Sequence, residues 1–76
     1  MIDVRLFATL PMRSSTKRKE FTLEPQPGLT VADVIESEGL KESDIHIIMI
    51  NGSHGRLESR LEDGDRLGLF PPVGGG

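Results

Sequence analysis

The residues of this chain best placed to do chemistry are its last ones, Gly74, Gly75 and Gly76, which follow Phe70-Pro71-Pro72-Val73. The reactive group they offer is the carboxylate of Gly76. Glycine has the most backbone freedom to lose on ordering, so three in succession with nothing after them are expected to form a flexible arm, residues 74–76. Pro71 and Pro72 each fix φ and remove a donor that could prolong a sheet, so they stop the preceding strand and stiffen the root of the arm. A carboxyl group on a thread without side chains suits an enzyme that activates a protein's terminus inside a narrow cleft. There a Cβ would clash, and only backbone groups can be read. A frayed end accounts for the same glycines, so the elements behind the tail must decide between the two readings.

No other group competes as a reactive centre. The chain has no cysteine, which excludes a disulfide framework, a thiolate metal site and a thiol nucleophile of its own. His46 and His54 have no carboxylate at ligand spacing and read as structural or solvated, so no metal and no bound cofactor is expected. Gly52, Gly55 and Gly64 are explained by turns, since none lies between a strand and a helix N-terminus as a phosphate loop requires. Met49 sits in an apolar run and reads as core.

Seventy-six residues, 36% hydrophobic and 28% charged, describe a small folded domain, assigned to residues 1–73. No apolar run approaches the roughly 20 residues that span a bilayer, and no signal-peptide pattern opens the sequence, so a cytoplasmic location is expected and a membrane is not. The net charge of −3 is unevenly spread. Arg13, Lys17, Arg18 and Lys19 form a basic segment without an acid, leaving five basic against twelve acidic residues elsewhere. That segment lacks interleaved aromatics, which argues against nucleic acid, while the acidic body favours a basic partner surface. Arg56, Arg60 and Arg66 could line the surface beside the tail.

The elements that must position the tail follow from periodicity. Ile2 to Ala8 alternates, placing Ile2, Val4, Leu6 and Ala8 on one face of a strand, with Asp3 and Arg5 turned to solvent. Residues 9–16 read as a loop, and Lys19 to Glu24 alternates again with Phe21 and Leu23 inward, completing a hairpin. Thr30 is placed to cap a helix of about ten residues, Asp33 stands at its third position, and Gly39 falls just past its end. Ile45 to Ile50 is a nearly continuous β-branched run, expected to be a strand buried on both faces or close to it. Asn51-Gly52 signals a tight turn, 54–56 a loop, 57–61 a short strand or irregular segment, and Arg66 to Phe70 the last strand. Pairing the first and last strands in parallel would lay the helix across one face of a mixed four- to five-stranded sheet. The expected class is α+β, in the β-grasp or ubiquitin-like arrangement, with the open sheet surface as a docking platform.

Leu61-Glu62-Asp63-Gly64-Asp65-Arg66-Leu67-Gly68-Leu69-Phe70-Pro71-Pro72-Val73, followed by Gly75-Gly76 and preceded by Ile50-Asn51-Gly52, resembles the C-terminal signature of the MoaD/ThiS ubiquitin-like sulfur carriers. The resemblance implies a carrier rather than an enzyme. An E1-like enzyme would use ATP to adenylate Gly76, and a persulfide-bearing sulfur donor protein would convert it to a thiocarboxylate. Gly75 would let the tail enter the cleft, with Leu69, Phe70, Pro71, Pro72, Val73 and Gly74 meeting the partner. The sulfur would then pass to an acceptor, either a synthase large subunit or a thiazole synthase. Phe70-Pro71-Pro72 favours the molybdopterin pathway, where the chain would be the synthase small subunit. The Val-Gly-Gly-Gly ending equally suits the thiamine carrier. A modifier joined to target lysines and a plain interaction domain are the remaining alternatives.

Overall fold

The structure is a computed structural model that describes residues 1–72; the expectations attached to Val73, Gly74, Gly75 and Gly76 lie outside the described residues. The elements run β1 (Ile2–Leu6), α1 (Leu10–Arg13), β2 (Glu20–Leu23), α2 (Val31–Ser37), a 3-10 turn (Glu42–Asp44), β3 (Ile47–Ile50), β4 (Ser53–His54) and β5 (Arg66–Phe70). They build one five-stranded sheet in the order β2-β1-β5-β3-β4. The central pair, β1 with β5, is parallel, in the register Val4 to Leu67 and Leu6 to Leu69, and the other pairings are antiparallel. This is the expected α+β, β-grasp architecture.

Alternation in β1 and β5 decides which face is wet. Ile2, Val4, Leu6, Leu67 and Leu69 point inward and are buried, and α2 lays Val31, Val34 and Ile35 on that same side. Phe21, Leu40, Ile48 and Leu61 complete the core. Among the described residues the opposite face carries no helix, so its side chains border solvent.

The helix starts where its sequence says it should. Thr30 Oγ1 accepts from the Asp33 backbone N–H, while the Asp33 carboxylate accepts from the Thr30 backbone N–H, a reciprocal capping box. The helix stops at Ser37 after seven residues, shorter than expected, because Glu38 leaves helical geometry and Gly39 turns left-handed at φ +74°. A Cβ at Gly39 would stand 3.0 Å from Ser15 Oγ, so the glycine also lets the β1–β2 connection come close.

Other boundaries move for identifiable reasons. The segment read as a loop over 9–16 contains α1, a single turn too short to show a 3.6-residue period, with Leu10 and Pro11 buried. Pro11 is tolerated there because first-turn amides have no helical partner. Ala8 does not continue the inward row of β1: the strand ends at Leu6, and Ala8 is exposed with φ +55°. The run from Ile45 yields a strand only from Ile47, and it is not buried on both faces. Ile48 alone is fully inside, whereas Ile47 and Met49 border the helix-free face. The short strand is Ser53–His54, overlapping at His54 the segment read as loop, because the Asn51-Gly52 turn folds it straight back onto Met49 and Ile50. Residues 57–61 are irregular, joined to Thr30 by an isolated bridge at Arg60.

Thr30→Ala should lower the unfolding free energy by about 1 kcal/mol in a urea titration. Adding Asp33→Ala should cost much less than its single effect, because the two side chains share one motif.

Candidate functional site

The exit of β5 is fixed from both sides. Phe7 N–H donates to the Leu69 carbonyl at 3.0 Å, and His46 N–H donates to the Phe70 carbonyl at 2.8 Å. Those bonds end the ladder, since Pro71 and Pro72 have no N–H with which to extend it. Pro71 is half-buried and Pro72 exposed, so the chain leaves the sheet within two residues of its last rung.

Around that exit the helix-free face is apolar. Phe7, just past the end of β1, and Phe70, the last residue of β5, stack with ring centroids 4.3 Å apart and planes 5° from parallel. Gly68 makes this possible, because a Cβ there would lie 3.2 Å from Phe7 Cε2 and 3.6 Å from Phe70 Cε1. Met49 and Ile47 flank the stack from β3, through the register Met49 to Gly68 and Ile47 to Phe70. Charges rim the patch: Arg5 pairs with Glu20 at 3.3 Å and approaches Asp3 at 4.0 Å, and Arg66 stands exposed at the start of β5. An apolar centre with a charged rim is the anatomy of a protein-docking surface.

A second feature lies at the tail root, where a groove of about 660 Å³ runs between α1 and the 3-10 turn. Ala8, Thr9, Ile47, Phe70, Pro71 and Pro72 line it, and an ion pair, Arg13 Nη1 to Asp44 Oδ1 at 3.1 Å, bounds it. The Lys41 backbone N–H donates to the other Asp44 oxygen at 2.9 Å. That bond first, and the Arg13 guanidinium second, hold the Asp44 carboxyl below its ordinary value despite partial desolvation.

Of the residues expected to meet a partner, Phe70, Pro71 and Pro72 lie together on accessible surface. Leu69 does not: its side chain is fully buried and pairs across to Leu6 and Ile48, so it anchors β5 from within. Arg66 borders the apolar face, whereas Arg60 stands apart from it with Pro25, Gly28 and Asp63. Met49, read as core, sits on the helix-free face. Phe7 was missed as a partner-facing residue, yet the alternation of β1 puts it on the same face as Asp3 and Arg5. The Arg13–Asp44 pair had no local signature, its members being 31 residues apart.

Gly68→Ala should push the Phe7 ring off Phe70. The expected result is loss of the ring-current shifts of both rings in proton NMR with stability changed by no more than about 1 kcal/mol. Because the folded Asp44 carboxyl titrates below its unfolded value of 3.8, its contribution to stability is complete above that value and vanishes as pH falls through the folded one. Asp44→Asn should therefore lower Tm near neutrality, and the gap to the parent should narrow as pH falls below 3.8.

Comparison with known proteins adds identity to this geometry. The family model of the ThiS family matches residues 4–76. A comparison with curated protein sequences gives no match. Among solved structures, a candidate molybdopterin converting factor subunit 1 from Pyrococcus furiosus is 30% identical, covering 95% of this chain and 97% of that one, with a TM-score of 0.64. The complex of subunits 1 and 2 of molybdopterin-converting factor from Helicobacter pylori contains a chain 25% identical to this one, with coverages of 99% and 97% and a TM-score of 0.60. SAMP1 from Haloferax volcanii, 24% identical over 99% of this chain and 98% of its own, shares the fold with a TM-score of 0.72. With a ladder that ends at Phe70, an apolar face beside that exit and a family match reaching Gly76, the chain belongs to the ThiS family of MoaD/ThiS ubiquitin-like proteins.

Proposed function

We propose that this chain is a sulfur carrier whose Gly76 carboxylate is adenylated by an E1-like enzyme and then converted to a thiocarboxylate. The observation that carries the reading is the coupling of two features at one end of the sheet. The last backbone rung is at Phe70, and the Phe7–Phe70 stack stands beside it on an uncovered face. A partner seated on that face holds the start of the tail at a fixed distance from its own catalytic cleft, which is a positioning device rather than a catalytic one.

The chemistry then belongs to the partners. A carboxylate is a poor acyl donor, because oxide is a poor leaving group. Its attack on the α-phosphate of ATP expels pyrophosphate and makes AMP the leaving group instead. The terminal sulfur of a donor protein's persulfide displaces AMP from the acyl carbon, and a thiol then cleaves the S–S bond, leaving sulfur on Gly76. Both thiol functions must come from outside, since this chain has no cysteine. Gly75 and Gly74 keep side chains out of the cleft, and Pro71-Pro72 sets the direction of entry. Phe70-Pro71-Pro72, with the likeness to molybdopterin converting factor subunits, favours molybdopterin synthesis and a large synthase subunit as acceptor. A cytoplasmic location belongs to the same proposal.

The test is the intact mass of the chain after incubation with the E1-like enzyme, ATP and a persulfide donor. The proposal expects one oxygen exchanged for sulfur. A lysine-linked adduct instead would make the chain a modifier, and an unchanged mass would leave it a plain interaction domain. Removing Gly75-Gly76 should abolish the exchange and leave Tm almost unaltered. Phe70→Ala should slow adenylation on the order of tenfold by weakening docking.

A further inference from the structure

The sheet has a second uncovered feature, at its other margin. β2 is an edge strand with β1 on one side and no strand on the other among the described residues. The Leu6 N–H donates to the Lys19 carbonyl, so Lys19, Phe21 and Leu23 turn their backbone groups toward β1, in the register Val4 to Phe21 and Ile2 to Leu23. By the alternation of an antiparallel ladder, Glu20 and Thr22 turn theirs outward. The strand contains no proline, and at four residues it offers an edge of about 13 Å. The opposite edge strand, β4, has two residues and offers almost nothing.

Along the inner side of this edge, between β2 and α2, runs an open groove of about 410 Å³. Leu23, Leu29 and Val34 supply its apolar floor, Ser37 contributes a hydroxyl, and Glu24 and Asp33 put carboxylates on its rim. None of its lining residues is basic. It lies on the helix side of the sheet, away from the Phe7–Phe70 patch on the opposite face.

We infer that the β2 edge and the β2–α2 groove form a second docking site, which takes an extended, basic segment of a partner protein as an added strand. The backbone of Glu20 and Thr22 supplies the hydrogen bonds. Every second side chain of the segment drops onto Leu23, Leu29 and Val34, and its lysines or arginines face Glu24 and Asp33. A second copy of this chain is the poorer occupant. Antiparallel β2–β2 pairing centred on Thr22 would set Glu20 opposite Glu24 of the copy, and like charges directly opposed destabilise a strand pair. Because this site and the tail face lie on different sides of the sheet, both can be occupied together. The chain could thus be tethered while its tail is being processed. This inference stands apart from the sulfur chemistry and holds whichever reaction the tail undergoes.

The experiment is an NMR titration of the full chain with a blocked synthetic peptide of alternating valine and lysine, about seven residues long, beside a control alternating valine and glutamate. The expected result is saturable shifts of the Glu20 and Thr22 amides and of the Leu23, Leu29 and Val34 methyls, with Gly68 and Met49 unmoved and no response to the control. Thr22→Pro, which deletes an outward amide and leaves the β1 pairing intact, should weaken binding about tenfold. Glu24→Lys, at an exposed position with no fold-holding contact, should do so by a similar factor. Four outcomes would overturn the inference: shifts scattered over the acidic surface without saturation, shifts centred on Phe7 and Phe70, undiminished binding by Glu24→Lys, or β2 shifts that follow the concentration of the chain alone.

Discussion

The parallel pairing of β1 with β5 is the constraint from which the rest of the molecule follows. It joins the two most strictly alternating stretches of the sequence, so that Ile2, Val4, Leu6, Leu67 and Leu69 share one buried face and α2 can close over it. It also determines where the chain leaves the sheet. With β1 and β3 bonded along its two sides, β5 cannot slip without moving its whole apolar row to the wet face, so the position of Phe70 is set by the core. The chain beyond Phe70 thereby starts from a point rigid on the scale of the fold.

The same pairing brings Phe7 beside Phe70 and makes the face around the exit both apolar and open. Exposed aromatic surface on a small protein is normally a solubility risk. Here the ion pairs of Arg5 with Glu20 and Asp3 bound it on one side, and the net charge of −3 adds repulsion between copies. The basic segment from Arg13 to Lys19 is largely used within the molecule. Arg13 pairs with Asp44, Lys17 donates to the Met12 carbonyl, and Arg18 lies over the Phe21 ring while reaching the buried carboxylate of Glu38. Thr16 donates to that carboxylate as well, at 2.6 Å, so the long β1–β2 connection is tied to the end of α2. Its charge is therefore mainly a fastening.

Local chemistry carried most of the fold, and the failures were non-local. The alternation of Ile2 to Leu6, the cap at Thr30 and Asp33, the left-handed Gly39 and the Asn51-Gly52 turn were all legible because each depends on residues within a few positions of one another. Burial of the Ile47 to Ile50 strand was overestimated because apolar composition cannot tell a covered face from one left open for a partner. The single turn α1 escaped notice because four residues define no period. At the site, Phe70-Pro71-Pro72 was readable as a strand stop, but its stacking on Phe7 needs the register of two strands some sixty residues apart. The inward direction of Leu69 was available from its alternation with Phe70 and outweighs its place in the tail motif.

The long closure between Ile2 and the strand at Arg66–Phe70 also orders events on the ribosome. The middle of the sheet is missing until β5 has cleared the exit tunnel, and contacts so distant in sequence form slowly. An unfinished polypeptide thus offers neither the stacked aromatics nor a rooted tail. Topology in this sense makes the fold a check on its own synthesis: only a molecule translated through β5 can close its sheet.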